Sequence, residues 1–129
     1  MNARVFLGLM ALLWLPYGLY CFFEPGSLAA GAGVASTSAT GSTELRAMYG
    51  GLQSGVGALA AAALLRRDLV RSALVALAFL SGGLFLARLS GSVLDSGWSQ
   101  YTGIALALEI SMLGASIHLL RQAGGVARA

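Results

Sequence analysis

The sequence predicts an all-α fold, a four-helix transmembrane bundle with antiparallel neighbours and both termini cytoplasmic, and three observations carry that expectation. Only 10% of the 129 residues are charged against 57% hydrophobic, at a mean hydropathy of +0.79, whereas a soluble domain carries roughly 25% charged residues. So few charges cannot solvate the surface of a soluble chain of this size. Four apolar runs reach about 20 residues, the length that crosses roughly 30 Å of hydrocarbon. All the arginines but Arg88 stand near the ends of those runs, and six of the eight share one side if the chain crosses four times. Residues 1–129 therefore read as a single integral membrane domain.

The first span, about 5–23, follows Arg4 and ends in Phe22 and Phe23. A secretory signal peptide competes for this stretch, with small residues at Ala29 and Ala30 behind it. The run is long for such a segment and bulky aromatics fill its end, so a retained helix is expected. Pro16 lies inside it and should kink it, a defect that neighbouring helices accommodate in a membrane. Cys21 has no partner in the chain for a disulfide, and Leu19 and Tyr20 exclude a lipoprotein site before it, so its role is packing. The loop 24–43 is rich in Ala, Gly, Ser and Thr and too poor in large apolar residues for a core of its own. A weakly ordered periplasmic loop is the first expectation, and a short membrane-surface helix around Leu28 to Val34 the alternative.

The second span, about 45–65, has Thr43 as a prospective N-cap and Glu44 placed to interact with the helix dipole. Gly51 and Gly55 form a small-xxx-small pair, supported by Gly50 and Gly57, that would let another helix approach closely. Six residues, Arg66 to Arg71, lead to the third span, about 72–94, where Gly82, Gly83 and Ala87 offer the same opportunity. A similarly short turn, Asp95 to Gln100, leads to the fourth, about 101–120. Turns this short make consecutive spans antiparallel neighbours. The small-residue contacts are assigned first to the bundle and second to a homodimer.

Positive flanks stay in the cytoplasm during insertion. Arg4, Arg66, Arg67, Arg71, Arg121 and Arg128 share that side, while Glu24, Glu44 and Asp95 lie opposite with Arg46. Tyr20, Phe22, Phe23, Tyr49, Trp98 and Tyr101 gather near the outer boundary, where aromatic rings favour the headgroup zone. The expected location is the bacterial inner (plasma) membrane, multi-pass, with the lipid bilayer as first partner. The net charge of +3 does not imply nucleic acid, because the basic residues mark span ends and do not cluster on one solvated face.

Two charges break the apolar pattern. Arg88 lies seven residues before Asp95, roughly 10 Å below the outer boundary, and Glu109 lies nine after Gln100, roughly 13 Å below it. Either charge alone would cost at least about 2.5 kcal/mol at such depth, so an ion pair between neighbouring helices is expected. Helical spacing adds Ser81, Ser92 and Asp95 to the Arg88 face, and Thr102, Ala105 and Ser116 to the Glu109 face. Arg46, Tyr49, Gln53 and Gly57 form a comparable stripe on the second span. Converging, these stripes make a polar pocket open to the periplasm, whose candidate members are Arg88, Glu109, Arg46, Tyr49, Glu44, Gln53 and Asp95.

Each member also has a plainer reading. The pair can act as a clasp that fixes helix register. Arg46 can reach headgroup phosphates, Tyr49 can anchor at the interface, and Asp95 can cap a turn. Glu44 lies about 200° around the helix from Arg46, so both reach one point only if the helix start is irregular. His118 reads as interfacial. One His and one Cys supply no metal set, no cofactor ligands and no catalytic constellation.

The run Glu44, Leu45, Arg46, Ala47, Met48, Tyr49, Gly50 and Gly51, followed by Arg88, Asp95, Gly97 and Glu109, resembles a bacterial four-helix membrane family catalogued as a domain of unknown function and grouped with DoxX-like proteins. Phe23, Glu24 and Pro25 resemble that family's end to the first helix, and the similarity covers nearly the whole chain. Ser96 departs from it, separating Asp95 from Gly97 where the family places Asp and Gly together. The resemblance implies no defined activity. Some DoxX-like relatives are associated with membrane redox complexes or quinone-linked sulfur oxidation and others look like assembly factors, roles that fold alone does not transfer.

Three functions follow as expectations. The first is a non-enzymatic module that binds a lipid-like or small amphipathic ligand, or a membrane protein partner, through the polar pocket. The second is a small transporter or proton-coupled subunit using Arg88 and Glu109. The third is a quinone-linked redox partner subunit, without haem or iron-sulfur, for which the chain has no ligands. An enzyme is the weakest reading, because acid–base work needs a group free to exchange protons with a reacting atom.

Overall fold

The computed structural model describes residues 2–126, with side chains to residue 123, so Arg128 on the expected cytoplasmic flank lies outside the described residues. Each of its elements is helical: α1 (Ala3–Phe23), α2 (Ser27–Ala32), α3 (Ala39–Leu45), a π-helical turn (Arg46–Gly51), α4 (Leu52–Leu65), a 3-10 turn (Arg67–Leu69), α5 (Val70–Leu94) and α6 (Gln100–Val126). Four segments are long and apolar enough to cross a membrane: Ala3–Phe23, Ala39–Leu65, Arg67–Leu94 and Gln100–Ala123. The chain divides into two compact units, one covering Arg4–Arg67 and the other carrying α5 and α6.

In the first unit α1 runs unbroken through Pro16 and buries Phe6, Leu7, Met10, Trp14, Gly18 and Cys21. Steps of three and four keep these residues on one stripe. The stripe meets α4 through glycine. A Cβ on Gly57 would stand 2.7 Å from Leu15 Cα, and one on Gly50 would stand 2.7 Å from Phe22 Cβ, while Gly18 lies against Ser54. Only hydrogen at these positions lets the two backbones come so near.

The small-residue contact therefore differs from the one expected. A Cβ on Gly55 would meet nothing within 4 Å, and one on Gly51 would meet only Arg46 O at 3.8 Å. Gly50, Ser54 and Gly57 are spaced by four and three and continue into buried Ala60. That longer stripe of small side chains fixes which face α4 turns to α1, and it carries Gly51 and Gly55 away from the contact.

The start of the second span also differs. Ser38, extended at φ −153°, is the N-cap, and its Oγ accepts from the Gly41 N–H at 3.0 Å. Thr43 lies inside the helix and its hydroxyl donates to Ala39 O at 3.1 Å. Glu44 is therefore beyond the first turn, where the favourable end of the dipole has faded, and it is exposed. The stretch 24–43 is built largely of short helices instead of a weakly ordered loop. Ser27 Oγ donates to Glu24 O at 2.7 Å, Gly33 closes α2 at φ 70°, and Leu28 is buried. Satisfied backbone ends and one apolar anchor give order here without large side chains.

In the second unit α6 buries Thr102, Leu106, Glu109, Met112, Ser116 and Leu119, again at steps of three and four. Gly82 on α5 faces the Leu113 side chain, with a Cβ there at ordinary contact of 3.5 Å. α5 ends at Leu94, and Ser96 takes the left-handed conformation at φ 53°, so that the Gly97 N–H donates to Ser92 O at 3.1 Å. This closure usually uses glycine where Ser96 stands. Ser99 then caps α6, its Oγ accepting from the Thr102 N–H at 3.1 Å.

Candidate functional site

Arg88 comes from the last third of α5 and Glu109 from the middle of α6, and the two side chains meet as the sequence expects. Arg88 Nε and Nη2 both donate to Glu109 Oε1, at 3.0 and 2.8 Å. The Glu109 side chain is 4% exposed and that of Arg88 28%. The Tyr101 ring centroid lies 5.7 Å from the guanidinium carbon, within cation–π range. One turn beyond Arg88, Ser92 turns its hydroxyl back onto the Arg88 carbonyl at 2.7 Å.

The pairing is lopsided. An Arg–carboxylate fork commonly places two N–H groups on two oxygens, but here both converge on Oε1. Glu109 Oε2 is buried with no hydrogen-bond partner among the described residues, and so is Ser116 Oγ, seven residues further along the same helical face. A buried acceptor without a donor costs about 1–3 kcal/mol. The site can therefore take one further donor at Oε2 while Arg88 holds Oε1.

Of the remaining predicted members, Glu44, Arg46, Tyr49 and Gln53 belong to the first unit and Asp95 to the second. Arg46 Nη1 donates to Phe22 O and, at 3.5 Å, reaches Phe23 O, with its guanidinium 5.7 Å from the Phe22 ring. It thus clamps the C-terminal carbonyls of α1, which have no partners within their own helix and carry the negative end of the dipole. Tyr49 is half-buried in the π-helical turn, and Gln53 is half-buried on α4 with its Oε1 unpartnered. Asp95 is exposed at the end of α5, where its N–H donates to Gly91 O, so it serves the turn.

Tyr101 is the site neighbour that sequence reasoning read only as an interfacial anchor. Its place two turns before Glu109 was the available signal. Trp14 and Ser54 in the first unit also hold buried polar atoms without partners, and no sequence pattern marked them. Among the described residues no group of three or more His, Cys, Asp or Glu could hold a metal ion.

The profile of a family described as "Domain of unknown function (DUF4345)" matches residues 2–120. No curated protein and no solved structure matches the chain.

Proposed function

The chain belongs to the DUF4345 family, and on that premise we propose that it is a multi-pass module of the bacterial inner membrane, not itself an enzyme, which holds a lipid-like or small amphipathic molecule or a membrane partner at the Arg88–Glu109 pair. One observation carries the reading: the buried Oε2 of Glu109 lacks a donor while both Arg88 N–H groups crowd onto Oε1. A clasp that served register alone would be better made with both oxygens satisfied. A ligand donor at Oε2 removes that deficit.

Topology is part of the proposal. Gly82 against Leu113 and Arg88 against Glu109 support antiparallel α5 and α6, since residue numbers rise along one helix as they fall along the other. The arginine-rich ends then face the cytoplasm. The pair lies in the periplasmic half of the membrane, roughly 10 Å below its boundary.

The experiment is mass spectrometry of small molecules that copurify with the full chain, compared with an Arg88→Met, Glu109→Leu double variant. Either single change should cost about 3–5 kcal/mol by leaving one buried charge uncompensated. The double variant should fold and lose the ligand. A folded double variant that keeps its ligand refutes the proposal. A small transporter or proton-coupled subunit is a second reading on the same buried carboxylate, and it requires liposome flux that Glu109→Gln abolishes.

A further inference from the structure

Both groups at the pair are charged, and the arrangement is itself dipolar: a guanidinium 28% exposed beside a carboxylate 4% exposed. The pair is neutral as a unit. A ligand drawn into an apolar surrounding must therefore bring a donor for Oε2 without adding net charge, because an uncompensated charge there is expensive. A simple anion supplies no donor. A simple cation supplies one but leaves the site with a net positive charge.

We infer that the ligand is a zwitterion, with a primary ammonium that donates to Glu109 Oε2 and an oxyanion that faces Arg88. The inference rests on the ligand reading above and narrows it to a chemical class. Each charge of the ligand then opposes one of the protein, and charge-assisted hydrogen bonds replace the missing neutral one. A quaternary ammonium fits poorly because it has no N–H, and a quinone fits poorly because its carbonyls only accept.

Glu109 Oε2 has almost no exposed surface, so the ammonium reaches it as neighbouring side chains part, while Arg88 keeps its two hydrogen bonds to Oε1. The Tyr101 ring, 5.7 Å from the guanidinium carbon, helps to hold Arg88 in that position.

Two sources share this chemistry, a phosphatidylethanolamine headgroup and a water-soluble zwitterion such as glycerophosphoethanolamine, whose single phosphodiester charge balances its ammonium. The full-length protein is titrated in detergent with phosphatidylethanolamine, its mono- and dimethyl forms, phosphatidylcholine and phosphatidylglycerol of identical acyl chains, and binding is read by native mass spectrometry. Affinity should fall by about tenfold between phosphatidylethanolamine and phosphatidylcholine, a typical size for one lost charge-assisted hydrogen bond. Phosphatidylglycerol should bind no better than phosphatidylcholine. Glu109→Gln should bring phosphatidylethanolamine to within about twofold of phosphatidylcholine.

Glycerophosphoethanolamine that displaces the lipid assigns the soluble source, and failure to displace it assigns the headgroup. Equal binding of phosphatidylethanolamine and phosphatidylcholine by the unaltered protein overturns the zwitterion while leaving an amphipathic ligand in place. No binding across the series, together with no copurifying molecule, overturns both readings. The methylation series needs no variant, so misfolding of Glu109→Gln does not decide the outcome.

Discussion

Replacing Gly57 with Ala puts a methyl group where Leu15 of α1 already stands. The new carbon would lie 2.7 Å from Leu15 Cα and 2.8 Å from its Cβ, atoms that no rotamer change can move. Restoring Leu15 Cα to ordinary contact at 3.4 Å shifts α1 by at least about 0.7 Å, and Leu15 N, which lies nearer still, requires more; overpacking of this kind costs about 1–3 kcal/mol. Alanine also returns up to about 1 kcal/mol of helix propensity over glycine. That gain cancels if the comparison is made with Gly55→Ala, two residues away on the same helix, where the added methyl meets nothing within 4 Å. Gly55→Ala should match or exceed the parent in stability, and Gly57→Ala should fall below Gly55→Ala by about 1–3 kcal/mol. Thermal unfolding in one detergent, followed by circular dichroism, resolves a gap of that size as several degrees. Coincident melting of the two variants would show that α1 and α4 do not meet along Gly50, Gly18 and Gly57.

Ser96→Gly should stabilise the protein by about 0.5–1 kcal/mol, because glycine adopts the left-handed conformation without the penalty of a Cβ; an unchanged melting temperature would argue against the Ser96 closure of α5. Arg46→Ala should cost about 1 kcal/mol and speed amide exchange at the end of α1, around residues 22–24. Unaltered exchange there would mean that Arg46 does not clamp that terminus.

Bilayer thickness made the four spans legible, because a run near 20 apolar residues has few other uses. The Arg88–Glu109 contact was legible for a related reason. A fixed rise per residue and a short turn place both groups at one depth, and burial then demands that they meet. Which oxygen of Glu109 takes the two N–H groups depends on sub-ångström placement and leaves no trace in spacing. The glycine seam was misread because two small-residue stripes lie one position apart on α4, and their choice depends on the shape of α1. Ser38 escaped notice because α3 is made of small and polar residues, so periodicity gave no sign of a helix there. Arg46 belongs to a backbone irregularity that no propensity marks, and its clamp on Phe22 and Phe23 could not be foreseen.

That irregularity changes how the second span behaves as a mechanical part. A π-helical turn holds one residue more than the α-helix it interrupts, so Arg46–Gly51 works as a phase adjuster between α3 and α4. Removing one residue there would let the turn revert to α-helix, changing the length of the rod by no more than about 1.5 Å, while α3 and the seam of α4 on α1 keep nearly their present phase. The half of the span that bears Glu44 and the half that is locked by glycine thus stay in phase across a change of one residue. Length changes that would wreck most membrane helices can be absorbed at this joint.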